Sequence, residues 1–212
     1  MTSTFVTAGP FAGQKPGTSG LRKKTAQFRA PHYLECFVQA IFDAVGASGK
    51  VLVLGGDGRF FGREAAGIIL RMAAANGVAR VIVGQGGLLS TPAASHLIRL
   101  NGADGGIVLS ASHNPGGEDG DFGVKYNISN GGPAPESVTA AIHAASERLS
   151  GYRISDLPAP DLDRIGETDL DGMAVQIVDP VLDYAELMER LFDFEAIRAM
   201  IAAGYPAERI FY

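Results

Sequence analysis

Three short runs rich in Val, Leu and Ile, at Lys50 to Leu54, Ala79 to Val83 and Ala103 to Leu109, alternate with longer segments whose apolar residues recur every three and four positions. Short continuous apolar runs mark strands covered on both faces, and three-and-four spacing marks a helix with one buried face. Tyr33 to Val45 has that spacing through Leu34, Phe37, Val38, Ile41, Phe42 and Val45, with Gly46 as a stop. Gly62 to Asn76 repeats it through Ala66, Ile69, Leu70 and Ala73 and ends at Asn76-Gly77. Ser90 and Thr91 are suited to cap a third helix that takes Pro92 in its first turn and runs to about Leu100, before Asn101-Gly102. The order strand, helix, strand, helix, strand predicts right-handed crossovers and an α/β fold, a mostly parallel (mixed) sheet with helices on both faces.

Beyond this alternation, Phe122 to Ile128 reads as one further strand and Pro135 to Leu149 as a covering helix, followed by a Pro-rich stretch at Leu157 to Pro160. Ala174 to Val178 then reads as a strand, Pro180 to Arg190 as a helix, and Phe194 to Ala202 as a last helix that stops at Gly204. A boundary is expected near Leu187 to Asp193, which makes residues 1–188 one α/β domain and residues 189–212 the start of a second. A chain of 212 residues with 46% hydrophobic and 19% charged residues lies well inside the range of globular folding.

The net charge is -5 and the 18 Lys and Arg residues are scattered, so nucleic acid is not expected as a partner. The single cysteine, Cys36, excludes an intrachain disulfide, fits a reducing compartment and reads as a buried structural thiol. No apolar run approaches the roughly 18 residues needed to span a bilayer, and the first residues lack a basic start with an apolar core, so a cytoplasmic protein without a membrane partner is expected.

Two segments carry the chemistry. Leu109-Ser110-Ala111-Ser112-His113-Asn114-Pro115-Gly116-Gly117 puts a hydroxyl at the carboxyl end of an expected buried strand, where open parallel sheets bind ligands. A nucleophile, a proton carrier and an amide donor stand in three consecutive positions, and Pro115 with two glycines forces a tight turn. Taken alone, this is also the sequence of an ordinary polar turn. Gln14 to Lys24 combines small residues with two hydroxyls, Thr18 and Ser19, and four cations, Lys15, Arg22, Lys23 and Lys24. That is anion-site chemistry, although the lysine precedes the glycines, which excludes a Walker A loop, and composition alone slightly favours a solvated amino terminus. Lys125 brings a positive charge to the strand after the serine loop, unless it is simply an exposed lysine. Glu118, Asp119 and Asp121 lack the spacing and distal glutamate of a calcium loop and read as solvated. Asp57 and Arg59 are either a structural ion pair at a strand end or residues that orient the site.

Together and in this order, Lys15 to Lys24, Ser110 to Gly117 and Gly120 to Asn127 resemble the active-site segments of the α-D-phosphohexomutase superfamily, and within it the phosphoglucomutases. The resemblance runs from about residue 14 to about residue 203 and implies a fold like the family's first domain. It implies that Ser112 carries a phosphoryl group, that His113 and Lys125 assist proton transfer and neutralise charge, and that Arg22 acts with them. Thr18, Ser19, Arg22, Asn114 and Lys125 would contact a sugar phosphate. It further implies Mg2+, bound partly through the phosphate on Ser112, and glucose 1,6-bisphosphate as activator and intermediate.

The departures are as specific. The family's magnesium loop, an Asp-Gly-Asp-x-Asp-Arg motif, and its sugar-selecting and distal phosphate-binding loops belong to three further domains and have no counterpart here. Asp119-Gly120-Asp121 is too short and is not followed by the aspartate and arginine. Tyr205 to Tyr212 do not continue the family pattern, so a truncated or frame-shifted chain is expected, with little mutase turnover on its own. A non-catalytic phosphorylatable domain that self-associates through a domain-docking surface, and a phosphomannomutase lineage, are the alternatives.

Overall fold

The computed structural model describes residues 3–204; the segment from Tyr205, where the family pattern is lost, lies outside the described residues. In chain order the elements are β1 (Ser3–Thr7), β2 (Leu21–Lys24), α1 (Thr25–Phe28), α2 (Tyr33–Val45), β3 (Val51–Gly56), α3 (Gly62–Ala75), β4 (Arg80–Leu88) and α4 (Thr91–Leu100). They continue as β5 (Gly105–Leu109), β6 (Asp121–Ile128), α5 (Glu136–Arg148), β7 (Gly151–Ser155), β8 (Gly166–Leu170), β9 (Met173–Val178), α6 (Leu182–Leu191) and α7 (Phe194–Ala202).

A seven-stranded sheet has the order β2-β6-β5-β3-β4-β9-β8. Its centre is parallel, with β3 paired to both β4 and β5 and β4 paired to β9. Both flanks are antiparallel: β6 returns beside β5, β2 beside β6, and β8 beside β9. The sheet is therefore mixed, as expected. Alternate residues of the central strands enter separate cores. Leu52, Leu54, Val81, Val83, Ile107 and Leu109 join α2, α3 and α5, whereas Val53, Ile82 and Val108 join α4, with Tyr184 of α6 packed beside them.

The helix ends follow local chemistry. Gly46 closes α2 in the left-handed conformation at φ 63° and donates its N–H to the Phe42 carbonyl. Ser90 caps α4, its hydroxyl accepting the Ala93 N–H at 3.2 Å, with Pro92 in the first turn. The start of the chain departs from a solvated tail, because Ser3–Thr7 and Leu21–Lys24 are strands. β1 pairs with β7 over more than a hundred intervening residues, and the ribbon is tied down where the Gln39 Oε1 of α2 accepts the Arg153 N–H at 2.9 Å. Nothing in the local pattern of Ser3–Thr7, which is almost wholly exposed, announces that partner.

Cys36 lies in the middle of α2 at 0% exposure, where burial first and the nearby Glu35 charge second push its thiol up to about 11. The thiolate is the reactive form, so the native protein at neutral pH is expected to resist a thiol reagent and to take up one equivalent only after unfolding in denaturant. Rapid stoichiometric labelling of the folded chain would contradict this packing.

Candidate functional site

The site grows from the carboxyl ends of two adjacent parallel strands, β3 and β5, at the point where the chain leaves β3 towards β4 on one side and leaves β5 towards β6 on the other. Such a crevice is where open α/β sheets bind ligands. At these ends Gly56 pairs with Leu109, and a β-carbon at Gly56 would run into the Leu109 carbonyl, so only glycine allows the approach. The Asp57 N–H continues the contact to the Leu109 carbonyl at 3.1 Å. The loops that leave the two strands, Asp57 to Phe61 and Ser110 to Gly120, therefore start side by side.

Ser112 stands at the crest of the second loop, exposed and in the left-handed conformation with φ 59°. A non-glycine residue pays roughly 1–3 kcal/mol for such a backbone and keeps it only where the surroundings over-determine it. Here they do. The Ser112 N–H donates to the Ser110 hydroxyl at 3.0 Å, and the Ser112 carbonyl accepts from Arg59 Nη2 at 3.1 Å. Arg59 also donates through Nη1 to the Asp121 carbonyl at 2.6 Å and the Asn114 carbonyl at 3.5 Å, which ties the two ends of the loop. Its other edge is seated on Asp57, with Nε 3.0 Å from Oδ1 and Nη2 3.1 Å from Oδ2. Burial pushes the Asp57 carboxyl up, but the Arg59 and Ser110 hydrogen bonds and the Arg59 charge outweigh it and hold the group below its ordinary range. Asp57 and Arg59 are thus both an ion pair and a support for the serine loop.

His113 and Asn114 follow different fates. His113 is exposed and makes no hydrogen bond among the described residues. The Asn114 amide donates to Asp121 Oδ2 at 2.8 Å, while Lys24 binds Oδ1 at 2.9 Å. Asn114 is thus a brace of the loop, not a free donor.

The cations come from β2 and β6. Along β6, Phe122, Val124 and Tyr126 enter the core that holds α2, so Gly123 and Lys125 belong to the opposite face, and Arg22 of β2 is the register partner of Gly123. Lys125 is half-buried; burial first, then the Arg22 and Arg59 charges, lower its ammonium below the ordinary lysine range, partly offset by Asp57. The Arg22 Nε is a buried donor without a partner among the described residues. Thr18 and Ser19 form the exposed tip of the turn between Gly17 and Gly20, whose backbones bond to each other, and Gly20 lies directly against the Lys125 backbone and side chain. The amino-terminal segment, the serine loop and the lysine strand therefore meet at one end of the sheet. A cavity of about 680 Å³ shares Arg59 and Leu109 with this region, but Ser112, Lys125 and Arg22 do not line it. The serine stands on an open surface.

The family model for phosphoglucomutase/phosphomannomutase, alpha/beta/alpha domain I, matches residues 13–153. The chain belongs to the phosphoglucomutase/phosphomannomutase family. It is 58% identical over 197 residues to a phosphoglucomutase of Rhizobium radiobacter, covering 92% of this chain and 36% of that protein. It is 51% identical over 195 residues to a phosphoglucomutase of Schizosaccharomyces pombe, covering 91% of this chain and 35% of that protein. Among solved structures, the exocytosis-sensitive phosphoprotein parafusin of Paramecium, a phosphoglucomutase in an open form, superposes with a TM-score of 0.86 at 45% identity. That match covers 92% of this chain and 38% of parafusin. The chain thus spans little more than a third of the length of these phosphoglucomutases.

Among the described residues no group of three or more His, Cys, Asp or Glu side chains is placed to hold a metal ion. Asp121 is engaged by Lys24 and Asn114, and Glu118 by Arg29 at 3.0 Å. The side chains of the described residues do not by themselves assemble a magnesium site. Among the described residues, no helix is long and apolar enough to cross a membrane.

Two further residues support the site: Ser110, whose hydroxyl holds the Ser112 N–H, and Gly123. A β-carbon at Gly123 would run into the Ser110 carbonyl, and the Ser110 N–H donates to the Gly123 carbonyl at 2.9 Å. The only sequence signal for Gly123 is a glycine inside a strand, which marks a close backbone approach. Gly123→Ala is expected to force β6 from the serine loop and to destabilise the fold by about 1–3 kcal/mol, measured by urea denaturation. A variant as stable as the parent would remove this contact from the account of the site.

Proposed function

We propose that this chain is the phosphoryl-carrying part of a phosphoglucomutase, with Ser112 as the residue that accepts and returns the phosphoryl group. The observation that carries the reading is an exposed serine held in a left-handed backbone after β5 by Arg59, whose charge in turn acts on Lys125 together with that of Arg22. Substrate identity follows the relatives, which are named phosphoglucomutases. The phosphomannomutase alternative rests on the shared family description alone.

In the loading step, the Ser112 hydroxyl attacks a phosphate of glucose 1,6-bisphosphate. The Oγ–P bond forms, the sugar O–P bond breaks, and the serine proton passes to the departing sugar oxygen. In the donating step the same bonds break and form in reverse order, on glucose 1-phosphate or glucose 6-phosphate. Such a transfer needs little covalent assistance and depends on cations aimed at the non-bridging oxygens, where charge gathers in the transition state. Arg22 and Lys125 supply those charges from β2 and β6. Lys125, with its ammonium pKa lowered chiefly by burial, is suited to exchange a proton with the sugar oxygen, and His113 is exposed beside the nucleophile. Thr18 and Ser19 belong to the substrate side of the cleft, while Asn114, bonded to Asp121, braces the loop. Magnesium would be held through the phosphate on Ser112 and by residues outside this chain.

Residues 1–188 form the functional unit, and α7 opens a second one. The chain matches 36% of the first of these relatives, and we assign the binding groups for the sugar and the far phosphate to the remainder. Groups that act as a unit fail together, so little or no turnover is expected from the purified chain. Incubation with glucose 1,6-bisphosphate is expected to add one phosphoryl group at Ser112, read by intact mass and phosphosite mapping, and to add none to Ser112→Ala. Labelling that survives in Ser112→Ala would sink the assignment, and magnesium-dependent turnover abolished by the same substitution would refute the claim of inactivity.

A second reading has its own observation. Val181, Leu182, Leu191, Phe192 and Ile201, on or beside α6 and α7, are exposed apolar side chains. They favour a phosphorylatable domain that pairs with another copy through this face. Under that reading the sedimentation mass rises with concentration and falls back when Leu191→Glu is introduced; a constant monomer mass removes it.

A further inference from the structure

We infer that Asp57 is the positioning residue of the phosphoryl-carrying loop, seating the Arg59 guanidinium that holds the Ser112 carbonyl. The inference deepens the proposed reading of Ser112 and rests on it for its functional consequence.

One arm is a guanidinium fork. A planar arginine fixed along one edge by a carboxylate presents its remaining N–H groups in a set direction. Arg59 has only 9% of its side chain exposed, and it meets Asp57 with Nε at 3.0 and 3.2 Å and Nη2 at 3.1 Å. From that seat Nη2 reaches the Ser112 carbonyl at 3.1 Å. The two residues can share one direction because Gly58 between them turns at φ 76°, a backbone that suits glycine.

The other arm runs through a buried hydroxyl. Ser110 is 4% exposed and accepts the Ser112 N–H at 3.0 Å. The same hydroxyl helps to hold the Asp57 carboxyl below its ordinary range. Asp57 itself is fixed to the sheet by its N–H bond to Leu109. The rigid end of β3 thereby dictates the backbone of a residue on the loop after β5. Without the carboxylate, Arg59 loses its seat, and the Ser112 carbonyl loses the guanidinium that helps to keep this backbone in the left-handed conformation.

The test uses the full chain with Asp57→Asn, Arg59→Ala and the double variant, and three measurements: amide hydrogen exchange by NMR, the rate of Ser112 phosphorylation by glucose 1,6-bisphosphate, and the thermal midpoint. Asp57→Asn is expected to speed Ser112 amide exchange by about tenfold, equivalent to about 1.4 kcal/mol, and to slow phosphorylation by at least as much. The amides of Val53 and Ile82 in the core should keep their protection. Arg59→Ala should behave alike, added guanidinium should restore part of the labelling rate, and the double variant should be no worse than either single one. Ser112 exchange and labelling at the parent level in Asp57→Asn would overturn the inference. So would loss of protection at Val53 and Ile82 together with Ser112, which would make Asp57 a general stabiliser of the fold. If the parent chain takes no label at all, the phosphoryl-carrier reading fails, while the amide measurement still decides the role of Asp57.

Discussion

The backbone contact between the carboxyl ends of β3 and β5 is the constraint on which the rest of the site depends. Gly56 lies against the Leu109 carbonyl without a side chain between them, and the Asp57 N–H bonds to that same carbonyl. Two loops that leave neighbouring strands at this distance share a single set of hydrogen bonds. One of them carries the Asp57-Arg59 pair and the other carries Ser112, so the support is part of the rigid sheet while the reactive hydroxyl projects beyond it. A presented nucleophile needs such a division, because a loop that holds itself cannot also keep a disfavoured backbone.

Electrostatics follow from the same arrangement. The chain as a whole is acidic at -5, yet Arg22, Arg59 and Lys125 interact with one another near the serine. Lys125 is lowered by burial and by the Arg22 and Arg59 charges, while the Asp57 carboxylate is held ionised chiefly by Arg59. A phosphoryl group on Ser112 would bring negative charge to a place where positive charge is already concentrated and partly desolvated. The cluster is thus more nearly balanced with the phosphate present than without it, which suits a residue that holds a phosphoryl group between two transfers.

The antiparallel flanks matter for a related reason. β6 returns beside β5 and brings Lys125 back to the level of Val108, and β2 adds Arg22 at the level of Gly123. A purely parallel arrangement would have sent the chain through a covering helix after β5, and those cations would have been carried away from the serine. The hairpin between β5 and β6 keeps them near, at the expense of a loop that must be braced by Asn114, Asp121 and Lys24.

Much of this was legible in the residues. Apolar runs and helical spacing located the central strands and α2, α3 and α4 to within a residue or two at most ends, because those elements bury continuous or one-sided apolar surface that leaves a local pattern. β4 was the exception, running on to Leu88 through Gly84, Gly86 and Gly87, where the apolar run breaks off. Ser110 to Gly117 and Lys15 to Lys24 stood out through their residue types, and the family they resemble is the one to which the chain belongs. β1, β2, β7 and β8 were not legible. They are short, partly exposed or charged, and each is a strand only because a partner lies beside it, β1 with β7 across most of the chain. The sequence by itself determined the layered α/β core and the chemical types at the site, since hydrophobic burial and residue chemistry are written locally. Only the tertiary structure decided that Asp57, Arg59 and Ser110 act on Ser112 and that Arg22 joins Lys125, because hydrogen bonds and charges act over a few ångströms in space, and it is the strand order that makes these distant residues neighbours.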